Sequence, residues 1–124
     1  MARLQAFSDR LAVFLSGLCV LHCLFLPILL ILAPVLGLNL VSDELVHSIL
    51  FIIAIPVSLV GLGLGYRRHR HLGSAALAAM GLVLMYVALL QNSLFMEEAL
   101  TIIGVSLVAF AHIQNRRRLA PVAI

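Results

Sequence analysis

Four long stretches without a charged side chain constrain this chain more than any other feature. They cover residues 11–36, 45–65, 72–94 and 99–114, and the first is 26 positions long, the second 21 and the last 16. A hydrocarbon core of about 30 Å needs about 20 apolar residues in a helix, so the first three runs are long enough to span it. The last covers about 24 Å at about 1.5 Å per residue and is the shortest of the expected spans. Lipid offers no water to bond an exposed backbone, and strand-like alternation is absent, so these runs must be helices. The expected fold is therefore all-α, a polytopic membrane protein forming a four-transmembrane-helix bundle as one domain over residues 1–124. Composition agrees: 64% of residues are hydrophobic and 10% charged, against about 45–50% and about 25% in soluble domains.

Charge gives the bundle a direction. All eight arginines, at 3, 10, 67, 68, 70, 116, 117 and 118, fall on one side if the chain crosses four times, whereas Asp43, Glu44, Glu97 and Glu98 fall on the other. The arginine side is expected to be cytoplasmic, with both termini there, in a bacterial inner membrane. The first run exceeds the apolar core of about 7–15 residues found in a signal peptide. The net charge of +3 does not point to nucleic acid, because the arginines sit in short clusters between apolar runs and form no basic face. The cluster Tyr66-Arg67-Arg68-His69-Arg70-His71 suits anionic lipid headgroups. Gly61 and Gly65 at GxxxG spacing, and Gly73, Ala75, Ala76 and Ala79, mark expected helix-packing seams. The Gly61–Gly65 stretch lacks the spacing of a dinucleotide fingerprint. No P-loop is present, no enzymatic machinery is apparent, and no tightly bound cofactor is expected.

The chemistry concentrates in Cys19-Val-Leu-His22-Cys23, followed by Pro27. Residues four apart on a helix share a face with Cβ atoms about 5–6 Å apart, so two thiolates at 19 and 23 can close on a soft cation such as Hg(II) or Cu(I). Their distance past Arg10 places them roughly 13 to 20 Å into the membrane, near its middle. Ser16 and Ala12 continue the same small-residue face. Pro27 leaves the Cys23 carbonyl without its helical partner, which predicts a kink, and Pro56 predicts another in the second helix. His22 flanks the pair and can ligate as a neutral imidazole. The candidate metal ligands are thus Cys19, Cys23 and His22.

Other readings of the same residues remain open. Cysteine is a small apolar residue that packs well in buried helices, which fits a non-catalytic helical membrane subunit. A membrane thiol-disulfide oxidoreductase is a second alternative, although its usual motif is Cys-x-x-Cys and the i, i+4 arrangement suits a disulfide less well. His47, at the outer end of the second helix, could first meet an incoming ion or simply be solvated. His112, near the inner end of the fourth, could meet an ion leaving the cysteines or be an ordinary interfacial residue.

The Cys19–Cys23 segment with Pro27, the Gly-Tyr66-Arg67-Arg68-His69-Arg70 stretch and Ala111-His112 before basic residues together resemble the MerC family of bacterial mercury-resistance membrane proteins. The resemblance extends over about residues 8–118. It implies a four-helix inner-membrane protein taking up mercuric ion, with the ion captured at Cys19 and Cys23 and released to cytoplasmic thiols or mercuric reductase. This chain departs from the fullest pattern in lacking a second cysteine pair nearer the cytoplasm. A bundle this small has little interior, so a homo-oligomer is a reasonable expectation.

Overall fold

The computed structural model describes residues 2–37 and 42–118. Among the described residues there are four helices and no strand: α1 (Ala2–Val35), α2 (Asp43–His69), α3 (Gly73–Leu89) and α4 (Leu94–Arg117). Three of the four, α1, α2 and α4, contain segments long and apolar enough to cross a membrane, and α3 is a shorter apolar helix. The expected lengths are thereby reversed at one point. The fourth helix is not the short one: α4 has 24 residues, about 36 Å, and α3 has 17, about 26 Å. Charge ends an apolar run without ending a helix, so α4 continues into Asn115 and Arg116. For the same reason α1 starts at Ala2 rather than near Leu11, through Arg3, Leu4, Gln5 and Ala6, which favour helix.

The expected basic loop is mostly helix as well. Tyr66–His69 form the last turn of α2, and the chain turns at Arg70, whose φ of 57° is left-handed. Its N–H donates to the Tyr66 carbonyl at 2.9 Å, a closure that glycine usually provides. The Arg70 guanidinium lies 5.8 Å from the Tyr66 ring centre, within cation–π range. At its other end α2 is capped by the Ser42 side chain, which accepts from the Leu45 N–H.

Neighbouring helices run antiparallel and pack in chain order around the bundle, α1 on α2, α2 on α3, α3 on α4 and α4 back on α1. Ser8 meets Val57 and Cys23 meets His47, while Ser74 meets Gln114 and Gly81 meets Gly104. The arginines of α2 and α4 therefore lie at the same end as the start of α1. Side chains are arranged opposite to the soluble pattern. Phe7, Ile31, Ile52, Leu59 and Phe95 are exposed, whereas Gln5, Asp9, His47, His112 and Asn115 are buried. Apolar groups outside and polar groups within is the arrangement a lipid solvent selects.

The packing seams differ from those expected. The buried face of α3 is Ser74, Ala78, Gly81, Met85 and Ala88, while Gly73, Ala76 and Ala79 are exposed. The α3 and α4 backbones approach closely at Gly81 and Gly104, where a Cβ on Gly81 would fall 2.6 Å from the Gly104 carbonyl oxygen. Gly61 and Gly65 do not join two backbones. They make room for polar side chains: a Cβ at 61 would lie 2.9 Å from Asp9 Oδ1, and one at 65 would fall on the Asn115 amide. Both α1 and α2 remain helical through Pro27 and Pro56. The side chains of Pro27, Asp43 and Glu44, and with them the expected kink at 27, lie outside the described residues, as does Asn39.

Candidate metal centre

Cys19 and Cys23 are brought to one buried face of α1 by their four-residue spacing, and α2 adds the third group. The Sγ atoms of Cys19 and Cys23 and a ring nitrogen of His47 all lie within 4.8 Å of one another. The three residues are 1%, 2% and 3% exposed, respectively, so a ligand bound among them is shielded from bulk solvent. Taking the zinc–thiolate bond of about 2.3 Å as a scale, two such bonds end to end span about 4.6 Å. Sulfurs within 4.8 Å of each other are close to the span one bridging soft cation needs.

The hydrogen bonds orient the imidazole. His47 Nδ1 lies 3.0 Å from Glu97 Oε1 and Nε2 lies 3.2 Å from Cys23 Sγ. An ionised Glu97 can only accept, so Nδ1 carries the proton it receives, and the Nε2 lone pair is left facing the thiol. A carboxylate holding one ring nitrogen while the other faces a ligand position is the usual outer support of a metal-binding histidine. Glu97 reaches the site because it lies in the first turn of α4, and its side chain is 12% exposed. Cys19 and Cys23 are not joined by a disulfide. Below them the packing is apolar, with Met85, Val105 and Val108 against Cys19 and Cys23.

His47 is therefore buried and engaged rather than solvated. His22 stays outside the three-residue group, its ring standing edge-on to that of His47 with centroids 5.4 Å apart. Along α2 and α4, though not along α1, the centre sits closer to the arginine-poor end than to the middle. His47 is in the second turn of α2 and Glu97 in the first of α4, which leaves roughly 28 Å of helix between either residue and the arginine end. Counting roughly 13 to 20 Å from Arg10 puts the pair nearer the arginine end than this, because Asp9 packs beside His112 and Gly61, inside the ends of α2 and α4 rather than level with their arginines. Nothing in the sequence links His47 or Glu97 to the cysteines except that each is an ionisable residue at the start of an apolar run.

His112 does not face the cysteines. It is fully buried at the other end, with Nδ1 2.6 Å from Asp9 Oδ1 and Nε2 3.2 Å from Ser58 Oγ. Asn115 Nδ2 reaches both Asp9 oxygens, at 3.2 and 3.1 Å, and the Gly61 carbonyl at 3.1 Å. His69 Nε2 lies 2.8 Å from Asn115 Oδ1. His47 and His112 thus lie toward opposite ends of the bundle, on the Cys23 and Asp9 sides respectively.

A bundle of apolar helices enclosing a buried Cys-Cys-His group defines a helical membrane protein with a site suited to a soft metal ion. The comparisons give this class a family: a model described as MerC mercury resistance protein matches residues 9–117. The chain belongs to the MerC family. No significant match was found among curated proteins or among solved structures.

Proposed function

We infer that this protein carries mercuric ion, or a closely similar thiophilic cation, across the bacterial inner membrane, with Cys19, Cys23 and His47 as the capture site. The observation that carries this reading is the convergence of the two thiols and the oriented imidazole. Softness matches sulfur ligands to Hg(II) rather than to oxygen-seeking cations. His22 stands beside the site and is assigned to guiding or secondary ligation. All four helices cross the bilayer with both termini inside, and α3 is accommodated by local thinning or by its packing on α4. Ligand exchange drives capture and release, so the protein is a carrier and not an enzyme and retains no bound cofactor. Passage follows the ion gradient, the membrane potential and the pull of cytoplasmic thiols or a mercuric reductase, with membrane lipids as the surrounding partner.

Cells expressing the protein should accumulate more mercury than cells without it, and Cys23→Ser should abolish the excess while the protein still reaches the membrane. Equal accumulation with the wild type and the variant would overturn the assignment.

A further inference from the structure

We propose that Asp9 and His112 form a proton-binding site at the arginine end of the bundle and that ion passage is linked to its protonation. The linkage rests on the transport reading above, whereas the site rests on its own geometry.

Two ionisable side chains with no exposure, 2.6 Å apart, are unusual among apolar helices, where such groups mark proton or ion pathways. Their partners suit two protonation states. His71 N–H donates to His69 Nδ1 at 3.0 Å, so a neutral His69 carries its proton on Nε2 and donates to Asn115 Oδ1. That fixes the Asn115 amide with its NH2 toward Asp9 and the Gly61 carbonyl. Asp9 thus accepts from Asn115 and from His112 Nδ1–H, and only His112 Nε2 is left to change. Its partner is the Ser58 hydroxyl, which can donate to a bare nitrogen or accept from a protonated one by rotating. A proton can join or leave Nε2 with no other hydrogen bond broken.

Open space lies next to the site on one side. A cavity of about 480 Å³ at the arginine end is lined by Ala2, Ala6, Asp9, Arg68, Arg116 and Arg117, although the pair itself has no exposed surface. On α1, one turn before Asp9, Gln5 is 1% exposed and neither of its amide atoms has a partner among the described residues. Such a group is suited to water. Toward the metal centre, a small space of about 20 Å³ lies between Ala12, Ser16 and Cys19 of α1 and the apolar side chains of Leu50, Met85, Val105 and Val108, a mostly apolar lining of the kind that stays dry.

The groups facing the pair are few. From α1 come Gln5 and Ser8, from α2 Ser58, His69 and Arg68, and from α4 Asn115, Arg116 and Arg117. The only titratable residue in α3 is Tyr86, which is 54% exposed and packs on Phe51. The unprotonated pair carries one net negative charge, and the protonated pair carries none. The proton is taken from water in the inner cavity and returned to it. A cation moving inward from the cysteines thus meets an attractive site in one state and a neutral one in the other.

Histidine 15N NMR of the purified protein without metal reads the site directly. Recorded from about pH 4 to about pH 10, the His112 ring should change from charged to neutral, and Asp9→Asn, which removes the carboxylate beside it, should displace that change toward lower pH, with Asp9→Glu restoring it in part. Ser58→Ala, which spares the ion pair, should also displace it if Asp9→Asn does not fold. A His112 that keeps one form throughout that range overturns the proposal. In proteoliposomes, the pH profile of Hg(II) uptake should step at the midpoint seen by NMR and shift with it in each variant, with Hg(II) binding stoichiometry unchanged. Uptake whose profile ignores those shifts overturns the linkage. Titration without uptake at any pH would overturn the transport reading and leave the proton site standing.

Discussion

Glu97 shows how one residue outside the cysteine motif sets its chemistry. It holds His47 by Nδ1 at 3.0 Å, and without it the imidazole is free to change tautomer and turn. Glu97→Gln is expected to weaken Hg(II) binding about 10- to 100-fold in competition with a small-molecule thiol, the usual effect of removing an outer support. An affinity equal to the wild type would show that His47 needs no orientation. Cys19 and Cys23 were legible as a pair because helical spacing is a local property of the sequence. His22 was favoured over His47 for the same reason: adjacency along the chain is visible, whereas the partner 24 residues away from Cys23 depends on the register of α2 against α1.

At the scale of single helices, hydropathy located all four elements but misjudged their ends. Apolar runs report where lipid contact stops, and hydrogen-bonded helix continues past that point through Gln5 and Asp9 in α1 and Asn115 and Arg116 in α4. The same limit hid the Asp9–His112 pair, since Asp9 lies just outside the first run and looks like a flanking charge. Glycine spacing in α2 was legible, but the groups it accommodates were not. Gly65→Ala is expected to lower thermal stability in detergent by about 1–3 kcal/mol, because the added methyl would overlap the Asn115 amide. Gly63→Ala, with no atom near the new methyl, should leave stability unchanged or slightly higher. Equal losses at both positions would mean that α2 does not pack through its 61–65 face as described.

At the scale of the whole molecule, two polar sites lie at opposite ends of an apolar bundle, one built on sulfur and the other on oxygen and nitrogen. Along α1, Cys19 and Asp9 are about 15 Å apart, with Ser16 and Ala12 between them on the same buried face. The arginine end should face the cytoplasm. With both native cysteines replaced, a single cysteine at Asn92 should react with a membrane-impermeant maleimide added to intact cells, and one at Arg118 only after lysis. Labelling at 118 in intact cells would reverse the topology and with it the direction of transport. The family match over residues 9–117 places the chain among mercury resistance proteins, and the geometry brings three candidate ligands from two helices together.

X-ray absorption at the mercury edge of purified protein loaded with one equivalent of Hg(II) tests the central claim most directly. The expected spectrum has two sulfur neighbours and one nitrogen, with the nitrogen lost in His47→Ala and one sulfur lost in Cys19→Ser or Cys23→Ser. A mercury environment that none of these three substitutions changes would contradict the account.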